Sequence, residues 1–483
     1  MSSRRPVLAR PLRPLWRGLT YFTHQEKGIR WMLAREQQGT AVSSDGATVY
    51  GGLQCDDMGL GKTIQLTATL VHHPLPCTLL VAPLAMLETW ADVCQHAGLR
   101  VYEVGREGWT RRPTPYGIPS HFLRLQPAVY LCNYEKAYHR LSLLQSVSWD
   151  RVVLDEAHKI RNGKSVMAQR FTALPAQHRW ALTGTPLVNG LSDVVSLFAF
   201  LGVPCSTFTW KKTYARLMAE LTIHRSLDSL RSILRAAPPP PKIQEDILPF
   251  YTEEEEDFYH GVQGGDEKRA AAYPREHLGR FARFKQLLRL RQLSVHPQVY
   301  LSALRREDPV YDRPDWSGPT TKFERIRAIL QEEEKHNYII FCQFHEEMSL
   351  IREFLLLHHM AQEENILMYH GGMNQKERNA VLAHSKASTQ KTVLLLQLQA
   401  GGVGLNLQEY DRILFLSPWW TAALMDQAMA RAVRMGQTRV VHVYHLRLAT
   451  EDTKSLNIDA FVHEKADQKR KQLSQLFQLC NTI

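Results

Sequence analysis

The 483-residue chain has only seven scattered cysteines, and no two stand in a C-x-x-C pair. Neither a zinc site nor a disulfide framework is expected, and isolated buried thiols in a reducing compartment are. No apolar run approaches the ~18 residues that a membrane-spanning helix needs. The first 25 residues carry no acidic side chain but five arginines: Arg4, Arg5, Arg10, Arg13 and Arg17. They lack the apolar core of a secretory signal, and Pro6, Pro11 and Pro14 interrupt the amphipathic helix of a mitochondrial presequence. A flexible basic arm over residues 1–19 is the expectation. No internal repeat at a 20–50 residue period is present, which argues against a solenoid or propeller. Acidic residues are the minority charge: 59 Lys+Arg against 48 Asp+Glu give +11. That balance favours a polyanionic partner, with nucleic acid first among them.

What is there is globular. Hydrophobic residues make up 44% and charged residues 22%, enough for well-buried cores, and the length suits roughly two to four domains. Two regions alternate short apolar, β-rich runs with helical patterns, which predicts α/β domains on parallel sheets. The first, residues 20–235, holds "CTLLVAP", "AVYLCNY", "RVVLDE" and "RWALTGT". The second, residues 317–455, holds "NYIIFCQF", "NILMYHG", "KTVLLLQL", "RILFLS" and "VVHVYHL". Residues 236–316 between them have another texture. "AAPPPPKIQ" predicts a stiff proline-rich spacer, Thr252 before Glu253–Glu256 a capped and solvated helix start, and "LGRFARFKQLLRLRQL" a basic amphipathic helix packed between the two regions. Residues 456–483 predict a charged helix closing the second region.

Chemistry enters at "DDMGLGKT". Gly59 and Gly61 let the backbone approach phosphate oxygens, Lys62 supplies a point charge, and the Thr63 hydroxyl suits Mg²⁺ at the start of a helix. The strict pattern G-x-x-x-x-G-K-[ST] wants glycine where this chain has Asp56. Alone, the stretch therefore competes with a Gly-rich turn bearing a surface lysine. "RVVLDEAH" strengthens it: a buried strand delivers Asp155, suited to Mg²⁺, and Glu156, suited to deprotonating an attacking water. Upstream, the amide of Gln25 suits an adenine edge. In "DQAMARAVRMGQ", Arg431 and Arg434 are three residues apart, on one face if helical. Two such cations suit a γ-phosphate held elsewhere. In "QAGGVGLNLQ", a Gly-rich turn after a strand offers N–H groups to phosphate, with Asn406 and Gln408 for polar contacts.

In order, "HQEKGIRWM", "DDMGLGKT", "LLVAPLAMLETW", "RVVLDEAHKIRN", "RWALTGTPLVNGLSDVVSLFAFL", "LRLRQLSVHP", "IIFCQF", "MYHGGMNQKER", "LLLQLQAGGVGLNLQ" and "DQAMARAVRMGQ" resemble the SWI/SNF-type DNA translocases of helicase superfamily 2. In that family Asp56 is a usual residue. The resemblance runs from about Thr20 to Thr453 and implies two RecA-like α/β lobes in tandem with a helical insertion. It implies ATP and Mg²⁺ as cofactors, with Asp57, Met58, Gly59, Leu60, Gly61, Lys62, Thr63 and Gln25 binding nucleotide. Lys62, Asp155, Glu156, Arg431 and Arg434 would be catalytic, with Thr63 and Asp155 on the metal. It places Pro83, Asn133, His158, Thr183, Gln343, Gly402, Asn406 and Gln437 in motifs that touch DNA or couple it to ATP. Double-stranded DNA is the implied partner, in nucleosomes or transcription complexes, in a nucleus or at the DNA of a virus. "WMLARE" and "LDEAHKIRN" resemble the lodestar-type and post-replication-repair subgroup, without the RING cysteines its members often carry. Departures are Trp420-Thr421-Ala422 for Trp-Asn-Pro, Ala430 and Val433 for Asp and His, and no Arg-Arg-Thr-Lys stretch. The implied function is ATP-driven translocation on duplex DNA without unwinding; the alternatives are a strand-separating helicase and an inactive DNA-binding scaffold.

Overall fold

A computed structural model describes residues 11–42, 47–116, 127–204, 211–234, 237–271, 278–332, 336–401, 405–449 and 456–480. Gly402, Cys205 and the arginines at positions 4, 5 and 10 lie outside the described residues. The chain divides into two compact units, residues 1–237 with 469–483, and residues 238–468.

In the first unit the described strands are β1 (Thr40–Ala41), β2 (Thr48–Gln54), β3 (Cys77–Ala82), β4 (Arg100–Val104), β5 (Trp109–Arg111), β6 (Ala128–Asn133), β7 (Arg151–Asp155), β8 (His178–Leu182) and β9 (Thr222–Ile223). They order as β1-β2-β8-β7-β3-β6-β4-β5, with β9 joined to β2. Pairing is parallel throughout, except at β1–β2 and β4–β5. The apolar runs are continuous because both sheet faces are covered. Leu79, Val81 and Leu154 enter one buried cluster, while Leu80, Ala82 and Val153 enter another.

The far end of this sheet closes on a buried ion pair. Both Arg151 Nε and Nη2 donate to Glu36 at 2.6 Å, and Trp180 Nε1 donates at 2.8 Å. Burial alone pushes the Glu36 carboxyl up, but Arg151 and a 2.6 Å contact with His73 Nδ1 bring it down to about 2. A lowered pKa means that the stabilisation is complete above the ordinary carboxylate range and is lost as pH falls toward 2. Glu36→Ala leaves Arg151 buried and uncompensated, an expected loss of about 3–5 kcal/mol in denaturant unfolding at neutral pH.

In the second unit β10 (Lys242–Leu248), β11 (Tyr338–Cys342), β12 (Ile366–Tyr369), β13 (Val393–Gln397), β14 (Arg412–Phe415) and β15 (His442–Leu448) form an all-parallel sheet, order β10-β15-β14-β11-β13-β12. Ile339, Phe341, Leu394 and Leu396 pack on one face, Tyr338, Ile340, Val393 and Leu395 on the other.

Four elements depart from the sequence reading. Lys242–Gln244, read as spacer, begins the edge strand β10; paired on one side only, it tolerates the polar and exposed residues that hid it. The acidic helix start is not wholly solvated: Thr252 caps it through Glu255 N at 3.2 Å, yet Glu255 itself is buried and accepts from Thr321 N and Oγ1 at 2.9 and 2.6 Å. The basic helix, Leu278–Val295, buries Arg289 and Arg291, the latter over the rings of Trp419 and Trp420 at 4.9 and 5.5 Å. The last helix, Ile458–Phe477, groups with the first unit from Lys469 onward. There Leu473, Leu476, Phe477 and Cys480 form a helical stripe against that unit's core. Of the described cysteines, none is paired and all but Cys77 are buried.

Candidate active site

Helix α1 (Thr23–Gln38) and helix α2 (Lys62–His72) flank the loop that connects β2 to α2. Gly59 and Gly61 take φ of +84° and +80°, left-handed values that favour glycine. The Leu60 carbonyl is held by His24 Nε2 at 3.0 Å, Gln65 Nε2 at 3.2 Å and Gln25 Nε2 at 3.4 Å. In a trans peptide the C=O and the next N–H point oppositely, so this grip turns the Gly61 N–H away from α1. Gln25 also accepts from Phe22 N at 3.1 Å; its amide is thus engaged in capping α1 and bracing the loop. A Cβ on Gly61 would come within 2.4 Å of Gln25 Nε2.

Lys62 Nζ donates to the carbonyls of Asp56 at 2.6 Å and Asp57 at 3.3 Å. Asp57 Oδ2 accepts from Leu227 N at 2.8 Å. Helix α2 begins at Lys62, so Thr63 lies in its first turn, where N–H groups have no helical acceptor.

Strand β7 ends at Asp155, whose carboxylate accepts from Trp90 Nε1 at 2.8 Å and from Glu156 N at 3.0 Å. Trp90 lies on helix α3 (Leu87–His96). Burial, with Glu156 beside it, pushes the Asp155 carboxyl up to about 6. Such a carboxylate gains most from a bound cation. Glu156 takes φ +50°, ψ +49°, a left-handed conformation that costs a non-glycine residue about 1–3 kcal/mol and recurs at functional sites. Its Oε2 lies 3.3 Å from His158 Nδ1. That nitrogen is also 3.3 Å from Thr183 Oγ1 and 3.5 Å from Thr185 Oγ1, so His158 joins the β7 end to the turn after β8. This turn lies against the loop: a Cβ on Gly184 would sit 3.7 Å from the Asp56 carbonyl and 4.0 Å from Lys62 Nζ. The first unit thus gathers Lys62, Asp155, Glu156, His158 and Thr183 around one loop. A lysine, a helix start and a cation-seeking carboxylate fit a Mg²⁺-bound nucleoside triphosphate.

Other residues of the first unit lie elsewhere on the same sheet edge. Pro83 follows β3 and is buried, its carbonyl accepting from Met86 N at 2.8 Å. Asn133 ends β6 and caps a helix, accepting from Lys136 N at 2.8 Å.

In the second unit Arg431 and Arg434 do not lie on the helix; it ends at Met429, and both arginines occupy the turns that follow. Val433 is drawn into the apolar core, which displaces the helical path. The turn is joined to the 405–410 segment. Leu407 N donates to the Arg431 carbonyl at 3.1 Å, and Arg434 Nη1 donates to the Leu405 carbonyl at 3.3 Å. Gln437 is buried, and its Nε2 donates to the Gln408 carbonyl at 2.9 Å. Gln408 Nε2 is itself engaged with the Met435 carbonyl at 2.7 Å, which leaves Asn406 as the exposed polar side chain of that pair. Burial lowers the Arg434 pKa.

Gln343 follows β11, and its N–H donates to Glu347 Oε2 at 2.7 Å, as does Phe344 N at 3.0 Å. Burial pushes Glu347 up to about 7 from 4.5. A raised carboxyl pKa penalises folding as pH climbs from 4.5 through 7, in full above it. Glu347→Gln keeps an oxygen acceptor and removes the charge, so the melting temperature should rise at pH 8 and stay unchanged at pH 4.

Sequence reasoning passed over Trp90, Thr185, Gln65 and Arg225. Gln65 alone carried a local signal, three residues after Lys62 on α2; the others are brought in from distant segments.

A glycine-rich loop feeding a helix, a strand ending in Asp-Glu and a second all-parallel α/β unit define a helicase-like nucleotide hydrolase. Residues 24–238 match the SNF2-related domain and residues 321–436 the helicase conserved C-terminal domain. The chain belongs to the SNF2 family of superfamily 2 helicase-like ATPases. It is 25% identical over 474 residues to the "Putative ATP-dependent helicase/translocase YwqA" of Bacillus subtilis (strain 168), covering 94% of this chain and 48% of that one. It is 27% identical over 481 residues to the "Probable global transactivator" of Orgyia pseudotsugata multicapsid polyhedrosis virus, covering 94% and 91%. It is 24% identical over 483 residues to the ISWI chromatin-remodeling complex ATPase ISW2 of Saccharomyces cerevisiae, covering 94% and 40%. The chain therefore spans about half or less of the bacterial and yeast proteins and most of the viral one. The SWI2/SNF2 ATPase core of Sulfolobus solfataricus in complex with dsDNA aligns over 97% of this chain and 99% of that one, at 21% identity and a TM-score of 0.40.

Proposed function

We propose that the chain is a Mg²⁺-dependent ATPase, stimulated by duplex DNA, that moves along the duplex without separating its strands. The observation that carries this reading is the first unit's site, where Lys62, Asp155 and Glu156 meet at the loop and His158 ties them to Thr183. Lys62 and the loop amides would grip the triphosphate. Thr63 and Asp155 would hold Mg²⁺, which when bound neutralises charge on the phosphates. Glu156 would take a proton from the attacking water. Arg431 and Arg434 would serve the same nucleotide from the second unit.

The two ends of the coupling have a physical link in this reading. Asn406, the exposed candidate for backbone phosphate, sits between residues bonded to Arg431 and Arg434. A pull on the 405–410 segment would therefore be felt at the arginines. The net charge of +11 supports a salt-sensitive, sequence-independent grip on DNA. Nucleosomes or a transcription complex would be the obstacles displaced, in a nucleus or at viral DNA, and "WMLARE" favours the lodestar-type branch.

The test is ATP turnover without DNA and with single strands, duplex and nucleosomes, paired with two displacement experiments. Duplex should stimulate most, and a triplex-forming third strand should be displaced while a forked duplex stays intact. Fork opening would favour a helicase; DNA binding without turnover would favour a scaffold.

A further inference from the structure

Asp56 stands where the strict phosphate-loop pattern has glycine, and its side chain is fully buried. A buried carboxylate beside a loop that must receive an anion needs a dedicated counter-charge. Arg225, 169 residues away in sequence and 2% exposed, supplies it. Arg225 Nε donates to Asp56 Oδ1 at 2.9 Å, and Nη2 pairs with Oδ2 of the same carboxylate. Nη2 also donates to Gln65 Oε1 at 2.7 Å, and Nη1 to the His24 carbonyl. Gln65 Nε2 closes the ring on Asp56 Oδ2 at 3.1 Å.

The backbone around Arg225 follows the loop. β9 pairs with the end of β2, Cys55 N donates to the Ile223 carbonyl at 2.8 Å, and Asp57 N to the Arg225 carbonyl at 3.0 Å. One side chain thus holds the loop, α1 and α2 together. Gly28 on α1 is where the packing closes: a Cβ there would lie 2.0 Å from Gln65 Oε1 and 2.7 Å from Arg225 Nη2.

We infer that Arg225 is a positioning residue for the nucleotide loop, acting through the Asp56 carboxylate and Gln65. This rests on the ATPase reading above. With the carboxylate paired to Arg225, Lys62 is held, among the described residues, by the carbonyls of Asp56 and Asp57. Neutral acceptors hold an ammonium less tightly than a carboxylate does, so Lys62 is free to transfer to phosphate. Without the guanidinium, the Asp56 carboxylate is left buried and uncompensated beside the loop, and it competes with the substrate for Lys62.

The experiment uses the full chain with saturating duplex DNA and measures KM for ATP, kcat, DNA affinity and melting temperature. Arg225→Met should raise KM about tenfold or more, as expected for loss of a buried charge partner, with kcat and DNA affinity changed far less. Adding Asp56→Asn to Arg225→Met removes the orphaned carboxylate and should restore most of the KM. Gly28→Ala should shift KM in the same direction, although alanine favours the helix, and it decides the matter if Arg225→Met does not fold. The inference is overturned if KM stays within about threefold in both single variants, or if Asp56→Asn gives no rescue. Lys62→Ala is measured beside them. Wild-type turnover in that variant removes the ATPase reading itself, whereas a dead Lys62→Ala with an unaffected Arg225→Met overturns only the role of Arg225.

Discussion

Glu156→Gln should bind ATP and duplex DNA like the parent and hydrolyse ATP at least a hundredfold more slowly, the range expected when a general base is lost. The substitution is nearly isosteric, and the amide still fills the site beside His158. It removes the lone pair that would accept a proton from water, while Asp155 keeps its bonds from Trp90 Nε1 and the residue 156 N–H. The backbone argues for the same residue. At φ +50° a non-glycine residue is strained, and the fold maintains that strain at the residue that directly follows the end of β7. Binding is checked with a fluorescent ATP analogue, turnover by phosphate release. Parent-like turnover would remove Glu156 from the mechanism, and a mutant that no longer binds nucleotide would make it part of the grip.

How much of this was legible in the chain depended on the distance over which each signal acts. The central strands were readable because covered parallel strands are apolar at nearly every position, as in "CTLLVA" and "YIIFC". The phosphate loop and the Asp-Glu strand end were readable because their parts are contiguous. The edge strand β10 was not: its exposed Ile243 and Ile247 flank Gln244, Glu245 and Asp246, and backbone pairing with β15 holds it. Partners brought by tertiary structure were equally silent. Nothing near "HRS" marks Arg225 as the counter-ion of Asp56, and nothing in "LETW" assigns Trp90 to Asp155. The helical face given to Arg431 and Arg434 failed because periodicity was extended past Met429, where Val433 turns inward. The stripe Leu473, Leu476, Phe477 and Cys480 has helical spacing, but among its many charged neighbours nothing marked the first unit, and not the second, as the core it packs on. Phe477 in fact lies flat on His224, ring centroids 3.5 Å apart, and His224 Nδ1 is 2.9 Å from the Cys55 carbonyl just before the loop.

Arg434→Ala should lower DNA-stimulated turnover by about 10³-fold or more, the scale of an arginine finger, with ATP affinity changed little. The proposal is that this guanidinium meets charge that develops only in the transition state, so ground-state binding remains with Lys62 and the loop. Its resting environment is consistent with a mobile role. Among the described residues one hydrogen bond ties it, Nη1 to the Leu405 carbonyl at 3.3 Å, and burial disfavours its charge. A guanidinium so placed gains by meeting an anion. Arg431 differs: its side chain is only 5% exposed, so its loss leaves a gap in the same turn whose backbone anchors Leu407. Arg434→Ala is therefore the cleaner variant, and Arg434→Lys should not rescue it, because an ammonium lacks the planar fork. DNA affinity should persist, since many phosphate contacts share that load. The measurements are ATP binding, DNA binding at two salt concentrations and stimulated turnover. If turnover stays near the parent while DNA binding collapses, the turn belongs to the DNA track. The link through Leu405 and Leu407 would then carry force away from DNA without an arginine at its other end to act on ATP.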